Sequence, residues 1–152
     1  MDTSETSVKM CEKAVEIQSS PRKHDPTSDI AFRRGKEGLE VYQYDCNSFY
    51  WLENYGDGSL CKQYVISYWE SDYPEYLGNT GIWLLRQDQL QEMVKAENNF
   101  NLTKAFRDWQ IEKVNINDLL QWSMEQLWLA FVMHEKYDKV WNGEDWIKEV
   151  TG

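Results

Sequence analysis

Past residue 38 the hydrophobic period of this chain changes once, near Arg86, and that change limits what it can fold into. Before it, aromatic and β-branched residues crowd into "LEVYQY", "SFYWLENY", "KQYVISYW" and "GIWLL", each about the length of a strand. Between the second and third runs, "YGDGSL" offers Gly56, Asp57 and Gly58, the residues that tolerate the positive φ of a tight hairpin. Residues 39–85 therefore read as a small antiparallel meander of three to four strands. Side chains alternate across a strand, so Tyr64, Ile66 and Tyr68 share one face and Val65, Ser67 and Trp69 the other.

After Arg86 the apolar residues recur at helical spacing. Asp88 with Gln91 forms a capping pair, followed by Leu90, Met93 and Val94. "LTKAFRDW" sets Leu102, Ala105, Phe106 and Trp109 on one helical stripe, whereas "WQIEKVNI" alternates and competes as a short strand. Asn117 is a cap for a long helix over 118–138. Leu120, Met124, Leu127, Trp128 and Phe131 make one of its stripes; Leu119, Trp122, Ala130, Met133 and Tyr137 make a second. So wide an apolar arc belongs to a helix covered on two sides. Asn142-Gly143 breaks the pattern, and 144–150 reads as a last short helix with Trp146, Ile147 and Val150 inward. The fold class is α+β: the meander, then helices packed on one of its faces.

Residues 1–38 look like a different regime, a flexible N-terminal arm and linker ahead of a single domain over 39–152. Val8, Cys11 and Val15 fall at helical spacing, so the arm can hold one short helix. The following "QSSPRKHDPTSD" contains two of the 3 prolines and almost nothing apolar, the composition of a linker.

Charge bears on the partner. Residues 1–40 hold 7 Lys/Arg and 8 Asp/Glu, while 41–152 hold 9 and 18, so nearly all of the net charge of −10 lies past the arm. An acidic surface repels phosphates, which disfavours direct nucleic-acid binding. Cys11, Cys46 and Cys61 are odd in number and widely spaced, unlike a disulfide scaffold or a zinc knuckle. The N-terminal residues lack the basic start and apolar run of a secretory signal, and no segment reaches the roughly 18–20 apolar residues of a membrane span. The expectation is a cytoplasmic protein with no membrane and no cofactor.

Catalytic motifs are missing. Of the two histidines, His24 sits in the linker, while His134 has Glu135 beside it and Asp138 one turn on. An i, i+4 His/Asp pair can share a metal or act as an acid–base couple, but zinc needs three or four ligands and no other His or Cys stands at matching spacing. A half-buried histidine hydrogen-bonded to a neighbouring acid is the simpler reading. No G-x-S-x-G, dinucleotide fingerprint or P-loop occurs.

What remains is "YWESDYPEY", residues 68–76. Tyr68, Trp69, Tyr73 and Tyr76 are interleaved there with Glu70, Asp72 and Glu75, and no Lys or Arg occurs from Gln63 to Leu85. Trp and Tyr dominate interface hot spots, and carboxylates among them steer a basic partner. Burying four aromatics beside three unpaired carboxylates would cost desolvation, so a strand end that becomes a contact loop fits the run better than a packed corner. These seven residues are the candidate partner-binding site. The expected function is a non-enzymatic protein-binding domain, of an inhibitor, immunity or accessory-subunit kind, acting on a protein with a basic surface. Two alternatives stay open: a small-ligand module for a sugar or quaternary cation, and a small hydrolase centred on His134.

Overall fold

A computed structural model describes residues 2–20, 29–34, 38–45, 48–55, 59–67, 81–94 and 98–149. The chain mixes helix and strand, as the change of period predicts, and its backbone groups into two units, 15–84 and 1–14 with 85–152.

In the unit 15–84, a single turn of helix, α2 (Val15–Gln18), precedes five strands: β1 (Asp29–Arg34), β2 (Gly38–Asp45), β3 (Ser48–Tyr55), β4 (Ser59–Ser67) and β5 (Ile82–Leu84). Their order is β4-β3-β2-β1-β5 with every neighbour antiparallel. The register slips once between β3 and β4, at Phe49/Tyr50. A strand edge leaves main-chain groups without partners. At β5 the Gln18 side chain takes that role, its amide donating to the Trp83 carbonyl at 3.0 Å and accepting from the Trp83 N–H at 2.9 Å.

The other unit is built from α1 (Glu5–Lys13), α3 (Gln87–Met93), α4 (Asn99–Lys113), α5 (Ile116–Gln121) and α6 (Met124–Tyr137), followed by a hairpin of β6 (Lys139–Trp141) and β7 (Trp146–Lys148). Helices α1, α3 and α4 all pack on α6, which is buried from Gln126 to Met133. Its centre is aromatic. Phe106 of α4 lies nearly parallel to Trp128 at 3.9 Å between ring centroids, and Phe131 meets both edge-on. Offset-parallel and T-shaped pairs are the arrangements that ring quadrupoles favour.

Several expectations are corrected. The segment 118–138 is two helices, because Trp122 and Ser123 are extended. Ser123 opens α6 with a reciprocal cap: its hydroxyl accepts from Gln126 N at 3.2 Å, and Gln126 Oε1 accepts from Ser123 N at 3.1 Å. Asn115, not Asn117, caps α5 by accepting from Asp118 N. The break turns Leu120 out to 77 % exposure and leaves Trp122 half-buried. "WQIEKVNI" is helical to Lys113, where α4 stops. At α3, Gln89 Oε1 accepts from Arg86 N, while Asp88 pairs with the Arg86 guanidinium at 3.1 Å, so the Asp88/Gln91 cap does not form.

The last helix is also a strand pair. Asn142 Oδ1 accepts from the N–H groups of Glu144 and Asp145, and Gly143 sits at φ 99°, a conformation that favours glycine. Trp146 points inward and Ile147 outward. Within the stretch read as a free arm, α1 has Val8, Met10 and Cys11 buried, and Asp29–Arg34 is a strand. Composition conceals both, since a helix made mostly of polar residues still buries one face.

Candidate functional site

Residues 68–76, with Tyr68, Trp69, Glu70, Asp72, Tyr73, Glu75 and Tyr76, lie outside the described residues, as does His24. His134 is placed. Its Nδ1 lies 3.0 Å from Glu135 Oε1 and its Nε2 3.0 Å from Glu149 Oε2. This is the half-buried histidine bonded to a neighbouring acid, not a His134/Asp138 couple: Asp138 ends α6 in the left-handed region, and its N–H donates to the His134 carbonyl. Glu149 is brought in by the hairpin, its N–H donating to the Asp138 carbonyl at 2.8 Å. Lys113 Nζ donates to Glu149 Oε1 at 2.7 Å. That hydrogen bond, helped by the charges of Lys113 and His134 and opposed by partial desolvation, holds the Glu149 carboxyl below its ordinary range.

A general base needs a ring nitrogen facing the proton it will take. Both nitrogens of His134 face carboxylates, so the cluster ties α4, α6 and the hairpin together. Among the described residues no group of three or more His, Cys, Asp or Glu side chains is placed to hold a metal ion. Cys11 is no nucleophile either, since burial pushes its thiol up to about 12 despite a hydrogen bond from the Leu85 main chain.

A different feature of the same unit is concave. A groove of about 650 Å³ runs between the end of α5 and the β6–β7 turn, with Trp122 and Trp141 in its walls. Asn115, Gln121 and Asn142 contribute amides, and Asp118 contributes a carboxylate. A smaller hollow of about 260 Å³ shares Asn115, Asp118, Trp122 and Trp141 and adds Trp109, Lys113 and Lys139.

These walls are held from behind. Gln126, buried, donates to Ser4 Oγ at 3.1 Å. Ser123 Oγ donates to Asp2 Oδ2 at 2.6 Å. Burial raises the Asp2 carboxyl, but the hydrogen bonds from Ser123 and Ser4 outweigh it and keep the group below its usual range. Trp141 leans on Trp146 at 5.0 Å and 57°, and Trp146 Nε1 donates to the Met10 carbonyl at 2.9 Å. Asn115 Nδ2 donates to Asp118 Oδ2. The surplus of tryptophan shows in composition; which rings stay half-exposed depends on the break at Trp122 and on the hairpin, neither of which the hydrophobic period reveals.

No family model, no curated protein and no solved structure matches this chain. No helix among the described residues is long and apolar enough to cross a membrane.

Proposed function

We propose that this protein is a non-catalytic binding domain whose acidic, apolar and aromatic surface recognises a basic protein, in the manner of an inhibitor, an immunity protein or an accessory subunit. One observation carries this reading. Ile111, Ile116 and Leu120 are 72 %, 65 % and 77 % exposed within ten residues of chain. Single exposed apolar residues are ordinary. Here Ile116 and Leu120 stand four apart on one face of α5, and the segment 111–125 carries Glu112, Asp118 and Glu125 against Lys113 alone. Lys113 is itself held by Glu149. Apolar side chains among carboxylates are what a basic partner needs: contact area inside, steering charge around it.

The band of Tyr68, Trp69, Glu70, Asp72, Tyr73, Glu75 and Tyr76 is proposed, on its sequence chemistry alone, as a separate contact region. The test is affinity capture from the lysate of the source cells at low and high salt. The expected result is enrichment of a basic protein that high salt releases. Capture should weaken with Ile116→Ser/Leu120→Ser and, separately, with Glu70→Gln/Asp72→Asn/Glu75→Gln. Failure to enrich any basic protein, or capture unchanged in both variants, overturns the reading.

A further inference from the structure

We propose that the groove walled by Trp122 and Trp141 is a binding site for a neutral oligosaccharide, an activity separate from protein recognition. Its volume, about 650 Å³, lies within the roughly 300–1,000 Å³ of small-molecule sites. Its walls select the chemistry. No Lys, Arg or His is among the described residues lining it, and Lys113 of the adjoining hollow is paired with Glu149, so a phosphate or carboxylate would meet no opposite charge within the groove. Asp118, the one carboxylate among the described residues lining it, already accepts from the Asn115 amide, which weakens its claim on a cation. An apolar ligand would take the Gln121 amide and the Asn142 amide NH2 group out of water, at a cost in free energy.

A sugar suits all of these groups at once. Its C–H faces lie against indole rings, and its hydroxyls both give and accept hydrogen bonds, as side-chain amides do. The site is also preorganised, which lowers the entropy lost on binding. The Asn142 amide is fixed by two main-chain donors, at 2.9 and 2.8 Å. Trp141 is braced by Trp146, whose indole N–H is fixed to Met10. The backbone of Trp122 is held where α5 ends, its main-chain N–H donating to the Asp118 carbonyl at 2.8 Å.

The test uses the full chain and NMR of the tryptophan indole N–H groups, titrated with cellohexaose, maltohexaose, chitohexaose, mannohexaose and, as a charged control, a tri-lysine peptide. The expected result is that at least one neutral hexasaccharide shifts the Trp122 and Trp141 signals saturably and equally at low and high salt. Trp122→Ala, confirmed folded by circular dichroism, should weaken that binding about tenfold, the scale of one lost aromatic contact. Should that variant unfold, the shift map of the unmodified protein decides alone. The proposal is overturned if none of the four saccharides moves these two signals. It is equally overturned if only the tri-lysine peptide moves them, in a salt-dependent way. Because Ile116→Ser/Leu120→Ser leaves Trp122 and Trp141 in place, loss of the protein partner and loss of the sugar separate cleanly.

Discussion

Trp146 donates its indole N–H to the carbonyl of Met10, 136 residues earlier, at 2.9 Å and in a buried setting. The contact fastens the first helix to the closing hairpin. Trp146→Phe would leave that carbonyl buried without a donor, a loss of about 1–3 kcal/mol, readable by urea denaturation. A smaller loss would mean that water reaches the carbonyl.

Deleting residues 1–36 tests the same assembly more severely. Composition alone marks them as dispensable, yet Val8 and Met10 are fully buried, each contributing about 1.5–3 kcal/mol of burial. Calorimetry of the truncated chain should show a large fall in Tm or no cooperative transition. An unchanged Tm would mean that α1 contributes nothing to the core.

The ring cluster on α6 is the second test of stability. Trp128→Ala and Phe131→Ala should each cost about 3–5 kcal/mol, as for other buried large aromatics. Trp128→Phe should cost less than either, because the Trp128 indole N–H is buried with no hydrogen-bond acceptor among the described residues and phenylalanine removes that stranded donor. Equal losses for Ala and Phe would show that the indole shape matters more than its polar group.

Glu149 sets part of the acid limb. Its carboxyl is held low in the folded state, so the stability it adds is complete above the ordinary value of about 4.3 and is lost as pH falls through the folded value. The Tm advantage of the unmodified chain over Glu149→Gln should therefore be full near neutrality and shrink below about pH 4. An advantage that persists undiminished at lower pH would contradict the Lys113–Glu149–His134 linkage.

Cys11 should be inert in the native protein. With its thiol pushed up to about 12 by burial, it stays protonated at neutral pH, and thiolate is the reactive form. Peptide mapping after treatment with an alkylating reagent should find Cys11 unlabelled until denaturant is added.

Much of the helical half is legible in the sequence. Of the stripe Leu120, Met124, Leu127, Trp128 and Phe131, the last three are buried where spacing places them while Leu120 and Met124 are exposed, and Phe106 and Trp109 face the same cluster. What period cannot show is an interruption that leaves the apolar spacing intact. The two-residue break at Trp122 and Ser123 is of this kind, decided by a side-chain cap instead of hydrophobicity. The hairpin is hidden differently. Its strands are three residues each, too short for alternation to register, and Asn142 with Gly143 reads equally as a helix stop. The candidate groove depends on both features, since Trp122 stands at the break and Trp141 beside the turn. Glu149 escapes a reading of spacing because its partner His134 is reached through the fold, 15 positions away in sequence.

Association kinetics test the proposed function most directly. With the captured partner purified, the association rate should be measured by stopped flow across ionic strength for the unmodified chain and for Glu70→Gln/Asp72→Asn/Glu75→Gln. A charge-steered encounter slows as salt shortens the Debye length to about 8 Å at physiological strength. The expected result is a rate that falls steeply with salt, a variant several-fold slower at low salt, and convergence of the two at high salt. A rate that is flat in salt, or identical for both proteins at low salt, would contradict recognition of a basic partner by this acidic surface.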